Sequence, residues 1–486
     1  MQTRERRFYR IIGCIILCLL PWMILCAISI YCGGKISELF PFWNDEVWYW
    51  RELYNFSSEV DLSNTGYLSF GSYIPRIGNM STHGAGPFLL YGIPAYFFSL
   101  GLNSIVVINT CWMCAAFVIL CVLVKPDFIT AFSIACCTSM FLPYLLYAPS
   151  SMSETACFSL MIIYVALLFK ISTGNQKRYP VFMLICLLVL SVYRINHVVL
   201  FLPPILLCSS EKRKRNVCVF VIGGVIIFLI SAWLVVYCQS PYPWGHLYSV
   251  FQLPRTEAIK QIIRYGMEQL KSYVSGGDLW HDRIYKLFYL LETIVCVTCA
   301  VYERIKRRGF YYVSMSTVLI TTVLGLSAMY RVDARSMMPI LFFSLLSMVL
   351  WNQKYLKTAL LCAEFVILFT GFTKPVYTYE SQYWSTHYRN KAVADIILPP
   401  ADDELLAKIV YDRDATSRWD NTIYIWEAGS HRFYCGLPKG IGIVSGPFPE
   451  DSEEIPKWLF WTEAYEDDRY TLIYSDETGY LYQRAR

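Results

Sequence analysis

The sequence predicts a polytopic α-helical membrane protein, a bundle of about 11–12 hydrophobic helices with a small C-terminal α/β or α+β domain. Three observations predict it. Of the 486 residues, 56% are hydrophobic and only 16% charged, and the mean hydropathy is +0.40, outside the range of ordinary soluble domains. Apolar stretches approaching the roughly 20 residues a helix needs to cross about 30 Å of hydrocarbon recur from Phe8 to Thr373. Beyond Lys374 the chain becomes rich in charge and aromatics. The predicted division is therefore a transmembrane domain at 1–373 and a soluble domain at 374–486.

Phe8–Tyr31 follows a basic Met1–Arg10. It is about twice the length of a secretory h-region and has no small-residue cleavage site after it, so it reads as a first membrane helix, not a leader. Residues 33–86 form a first outer loop. Further apolar segments run Pro87–Leu100, Ser104–Val124, Phe128–Tyr147, Met152–Phe169, Pro180–Val192 and His197–Cys208. They continue as Val217–Cys238, Ile284–Val301, Phe310–Tyr330, Met337–Trp351 and Thr358–Phe372.

Basic clusters at Arg4–Arg10, Lys170–Arg178, Lys212–Arg215, Arg304–Arg308 and Lys354/Lys357 belong on one, cytoplasmic, side by the positive-inside rule. The first loop, residues 239–283 and everything after Lys374 then fall on the other side. Lys170 and Lys212 share a side although only about 40 residues separate them, too few for two full spans with their loops. Two half-length helices meeting at Tyr193–His197 resolve this, and such a turn is tolerable only where it lines a polar cavity. The expected setting is a bacterial plasma membrane, with a cytoplasmic N-terminus and an extracytoplasmic C-terminal domain. The sequons Asn55-Phe-Ser57 and Asn79-Met-Ser81 do not decide between that membrane and an endoplasmic reticulum.

Of the 18 cysteines, nearly all lie within apolar helices, where cysteine packs as a small hydrophobe. Cys435 stands alone in the C-terminal domain, so no internal disulfide is expected there. Cys296 and Cys299 form a CxxC without a second pair, which reads as packing and not as a metal site. The net charge of +5 speaks to orientation and not to nucleic acid.

Asp45 and Glu46 stand among aromatics in the first loop. Read as a helix, Asp45, Tyr49 and Glu52 share one face, with Trp43, Val47 and Trp50 against lipid headgroups. Glu154 opens a later helix, where an acid also serves as ordinary capping chemistry. Arg194 sits at the apex of the short-helix pair with His197, and a cation at membrane depth is a functional candidate by default. Arg331 and Arg335 lie one turn apart at a helix end; they either clamp a phosphate or snorkel to headgroups.

In order along the chain, these features resemble the GT-C glycosyltransferases, multi-pass enzymes that take sugars from polyprenyl-phosphate carriers. Protein mannosyltransferases and the aminoarabinose transferases of lipid A are among them. The resemblance covers about the first three quarters of the chain. It implies that Asp45, with Glu46 beside it, is the catalytic carboxylate. It further implies that Glu154 is the second acid, and that Arg194 and His197 lie on paired short helices. His83, in Thr-His83-Gly-Ala-Gly-Pro87, stands where the family often has a His/Pro-rich helix start; a solvated histidine is the alternative. With Arg331 and Arg335, these residues would bind the donor. Asp45 and Glu154 would hold Mg²⁺ or Mn²⁺ if a divalent ion is used. The acceptor would be a lipid, glycan or protein hydroxyl, which would attack the anomeric carbon with inversion at the sugar.

Two other classes share some of these features. A flippase or transporter of lipid-linked sugars needs buried cations and half-helices, but the sequence has no internal repeat. An O-antigen-type polymerase or ligase shares the helices and outer arginines but has no acid pair directly after the first helix. In the C-terminal domain, strands are expected at Thr422–Trp426, Ile441–Val444, Tyr470–Tyr474 and Tyr480–Tyr482, and helices at Asp402–Tyr411 and Glu453–Trp461.

Overall fold

A computed structural model describes residues 2–42, 44–59, 67–69, 85–98, 100–173, 179–207, 213–238, 250, 253–275, 280–306, 310–329, 334–351, 362–363, 365–366, 384–388, 403–415, 417–425, 436–445, 455–476 and 479–485. The architecture is given for those residues. The apolar stretches are helical because a helix satisfies its own backbone polar groups, as lipid requires. α1 (Gln2–Cys32) leads to α2 (Asn44–Glu59) and the short strand β1 (Tyr67–Ser69). α3 (Gly86–Phe97), α4 (Ser104–Val124), α5 (Phe128–Met140), α6 (Leu142–Tyr147) and α7 (Glu154–Thr173) follow. α8 (Tyr179–Tyr193) passes into a 3-10 segment, Ile195–Phe201, and then α9 (Leu202–Leu207). α10 (Arg213–Cys238), α11 (Arg255–Ser275), α12 (Trp280–Ile305), α13 (Tyr311–Met329) and α14 (Ala334–Leu350) continue the bundle. The C-terminal part holds α15 (Asp403–Ala407), β2 (Thr422–Ile425), β3 (Gly442–Ser445), β4 (Trp458–Trp461), β5 (Tyr470–Asp476) and β6 (Gly479–Arg484).

Among the described residues, five helices are long and apolar enough to cross a membrane: Glu5–Cys32, Ser104–Val124, Glu154–Thr173, Lys214–Leu234 and Arg283–Ile305. α7 is the most enclosed of them and packs against α4, α8, α9 and α14. Trp351, just past α14, stacks on Tyr311 at 5.1 Å and meets Phe169 near the end of α7 edge-on at 5.2 Å. The starts of α7 and α14 therefore share one end of the bundle, and the start of α13 lies at the other. α8 has 15 residues, a length of about 22 Å that falls short of the roughly 30 Å hydrocarbon core. It turns back at Arg194, as half-length helices would.

Several expectations need correction. Phe128–Tyr147 is two helices, broken at Phe141 where Leu142-Pro143 starts α6, because proline suits a helix start and not its interior. Residues 239–283, read as loop, contain the amphipathic α11. Glu453–Trp461, read as helix, contains the strand Trp458–Trp461, whose Trp458 and Phe460 side chains are buried by the pleated sheet. Val47 and Trp50 do not face headgroups. Both are buried, Val47 under the sheet and Trp50 in the bundle core. The Thr358–Phe372 segment lies mainly outside the described residues.

The sheet has the order β1-β3-β2-β4-β6-β5. β1 to β4 pair in parallel and β6 joins β4 and β5 antiparallel. The edge strand β1 follows α2, with Tyr67 opposite Ile443. α2 fastens the sheet to the bundle. Arg51, almost wholly buried, donates from Nη1 to the Leu437 carbonyl at 2.7 Å and from Nη2 to those of Ile441, at 2.9 Å, and Pro438. The Asn55 side chain donates to Ile441 O at 3.3 Å and accepts the Gly440 N–H at 3.0 Å. Asn55 is thus committed to packing, which leaves its sequon unsuited to carry a glycan.

Arg51→Ala leaves several buried carbonyls unpaired. It is expected to lower stability by on the order of 3 kcal/mol, measured as a fall in thermal midpoint and faster proteolysis of residues 403–486 in the detergent-solubilised chain. Ahead of β5, Arg469 holds both oxygens of Asp467, at 2.7 and 3.0 Å. The hydrogen bonds from Arg469 keep the Asp467 carboxyl below its ordinary range. A lowered folded-state value contributes stability above the unfolded pKa of about 3.9 that is lost as pH falls through the folded one. Acid unfolding followed by tryptophan fluorescence should begin at higher pH in the wild type than the same transition, normalised to its own neutral stability, in Asp467→Asn.

Candidate functional site

The site forms where the starts of α2, α7 and α14 meet the end of α8. Asp45 lies in the first turn of α2, where a carboxylate is favoured by the helix dipole. Glu154 opens α7 in the same way. Gly86, at the start of α3, lets the α8 turn approach: a Cβ there would lie 2.9 Å from Tyr193 Cα.

Arg335 joins the two acids. Its Nη1 donates to Asp45 Oδ2 at 2.6 Å and its Nε to Glu154 Oε1. Arg194 Nη2 donates to the same Glu154 oxygen at 2.5 Å, and its guanidinium lies 5.4 Å from the centroid of the Tyr193 ring. The formal charges of these four groups sum to zero, as burial demands. Glu154 is sealed at 1% exposure, whereas Asp45, Arg194 and Arg335 retain 21, 20 and 28%. Glu154 is thus enclosed, and the other three groups form a partly exposed rim around it. Glu154 Oε2 is buried without a partner among the described residues. The Ser153 and Tyr193 hydroxyls bond each other at 2.5 Å. The Tyr49 phenol is buried nearby, and burial, with Tyr193, Glu154 and Asp45 close by, pushes it well above its ordinary value.

Glu46 does not join this group. It accepts the Phe42 N–H at 2.7 Å and meets His387 Nε2 at 2.9 Å, with both side chains at 0% exposure. His197 is buried beside Tyr193, its Nδ1 3.1 Å from the Leu190 carbonyl. His83 and Arg331 lie outside the described residues. No group of three or more histidine, cysteine or acidic side chains suited to a metal occurs among the described residues. The Arg335 guanidinium occupies the position between Asp45 and Glu154 that a divalent ion would take, so an ion held by that pair would have to displace it.

Sequence reasoning passed over Arg51, His387 and Glu292. The first two make their contacts across more than 300 residues of chain, and no local pattern signals that. Glu292 carried a visible signal, a lone acid within an apolar helix. No protein-family model matches the chain, and no curated protein matches it in sequence.

Removing Arg335 would leave sealed Glu154 to Arg194 alone and take the guanidinium from Asp45. Arg335→Met is expected to cost about 3–5 kcal/mol, read as a lowered thermal midpoint. Arg335→Lys keeps the charge but cannot hold both acids through separate nitrogens of a planar fork, so a smaller loss is expected.

Proposed function

We propose that the protein is a membrane glycosyltransferase, moving a sugar from a polyprenyl-phosphate donor to an acceptor hydroxyl at the end of the bundle that carries the sheet. The observation that supports this most is the Asp45–Arg335–Glu154–Arg194 chain of contacts, which puts a rim carboxylate beside two guanidiniums already fixed in place. A phosphate needs such cations, and a hydroxyl nucleophile needs such a base.

The donor phosphate would engage the rim of Arg335 and Arg194, taking over the contact that Arg335 makes with Asp45. Asp45, freed from its partner, would accept the proton of the acceptor hydroxyl. The acceptor oxygen bonds to the anomeric carbon as the bond from that carbon to the phosphate oxygen breaks. The polyprenyl phosphate leaves with the bonding pair, its charge met by the arginines. Displacement by one nucleophile inverts the anomeric centre. Glu154 holds both guanidiniums in register from below, and Glu46 positions the loop through His387. The sugar is a hexose or pentose and the acceptor a lipid, glycan or protein hydroxyl.

Membranes carrying the chain should transfer radiolabel from polyprenyl-phosphate sugars, with Asp45→Asn losing about 10²- to 10⁴-fold in rate while retaining its thermal midpoint to within a few degrees. Full activity in Asp45→Asn would overturn the assignment of the base. Absence of transfer from every hexosyl and pentosyl donor would overturn the function.

A further inference from the structure

A second set of ionisable groups lies on α12, away from the rim. Glu292 is 1% exposed. It stands nine residues from one end and thirteen from the other of the span Arg283–Ile305, about 13 and 20 Å along the helix axis. That is well inside the apolar span, and a carboxylate at membrane depth is expensive. Glu292 Oε1 accepts from the Ser344 hydroxyl of α14 at 2.7 Å, and Oε2 is buried with no partner among the described residues. The hydroxyls of Tyr311 and Ser314, one turn apart on α13, are buried without partners in the same sense. No ion pair reaches Glu292 among the described residues. Such a place favours the neutral acid over the carboxylate.

The carboxyl is not isolated from the end of the helix. Glu292, Cys296, Cys299 and Glu303 follow one another at i, i+4, i+7 and i+11 on one face of α12. Glu303 accepts the Tyr312 N–H at 2.9 Å, so this stripe runs along the seam with α13 to the end marked by Trp351, Arg304 and Lys306. Tyr311 and Tyr312 stand within electrostatic reach of Glu292, Cys296 and Glu303 across the seam. From α14 the facing polar group is Ser344. The charge of α14, Arg335, lies nine residues earlier, about 13 Å along the helix.

We infer that Glu292 is an intramembrane proton-binding site, loaded and emptied from the Glu303 end of the bundle along the α12–α13 seam. The carboxylate takes a proton from water at that end and returns it to the same side. Loss of the proton leaves a charge with one hydroxyl partner, so the contact between α12 and α14 changes with occupancy. The inference is independent of the proposed sugar transfer.

The test uses sealed vesicles holding the full chain, treated with dicyclohexylcarbodiimide, which enters the apolar phase and adds to protonated carboxyls. The adduct is located by peptide mass spectrometry, with pH set independently on the two sides. The side facing Glu303 is fixed by labelling exposed Lys306 with an impermeant amine reagent. The expected result is an adduct at Glu292, absent in Glu292→Gln. Its yield should fall about tenfold per pH unit above the midpoint as the Glu303 side is made alkaline and ignore the opposite side. Glu303→Gln should slow the response to a pH jump. No adduct at any pH, an adduct indifferent to pH on both sides, or one that follows the opposite side would overturn the proposal.

Discussion

Arg335 is the contact on which the arrangement of the upper bundle depends. Asp45 and Glu154 are drawn toward one guanidinium from two different helices, and without a cation between them like charges in a poorly solvated place would force the helices apart or one acid to neutralise. With it, α2, α7 and α14 are joined at one point, and Arg194 adds the end of α8 through the same Glu154 oxygen. Four elements distant in sequence thereby share a single electrostatic node. Its neutrality lets it sit at the edge of an apolar bundle.

The node would hold only the bundle if α2 were a plain interfacial helix. Instead α2 has two apolar duties. Val47, Arg51 and Asn55, spaced four apart, address the sheet. Tyr49, Trp50 and Leu53 pack into the bundle, and the Trp50 indole N–H reaches the Gly101 carbonyl at 3.0 Å. Glu46 adds a buried tie to His387, and Tyr388 beside it bonds Ser29 of α1 at 2.9 Å. Asp45 is therefore carried by a helix clamped on both sides. The clamp limits how far the backbone beneath Asp45 can move, while Arg335 sets where its carboxylate rests.

What could be read from the chain followed from local physics. Ser104–Val124 has the same bounds in sequence and structure because composition alone decides where such a helix starts and stops, up to Lys125 in a left-handed conformation. The strands around Ile423 and Ile443 were legible from β-branched residues between turns. Trp458–Trp461 was not, since a run of large apolar residues suits helix and strand alike and its pairing with Ile423–Ile425 decides. The Asp45–Tyr49–Glu52 face was read from helical spacing, but the same spacing could not say that Val47 and Trp50 would be covered. That depends on β1 and the C-terminal strands folding back over α2. Asp45, Glu154, Arg194 and Arg335 were legible as candidate charges that meet, yet not the separation of Asp45 from its neighbour Glu46, which rests on His387, 341 positions along the chain.

The charges of the bundle divide by what balances them. At the rim, each acid has an arginine against it, so a competing anion is the partner suited to rearranging the group. At Glu292 no cation among the described residues pairs with the carboxyl and the Ser344 hydroxyl serves one of its oxygens, so in the proposed site the proton is the balancing charge. The two places are linked by α14, which presents Arg335 to the rim and Ser344 to Glu292 within the bundle. A helix held at one end by permanent ion pairs and touched at its middle by an exchangeable proton has one fixed and one adjustable contact. The adjustable one therefore acts against a stationary reference, which is the condition for a small change at Glu292 to be felt as a displacement and not dispersed as general loosening.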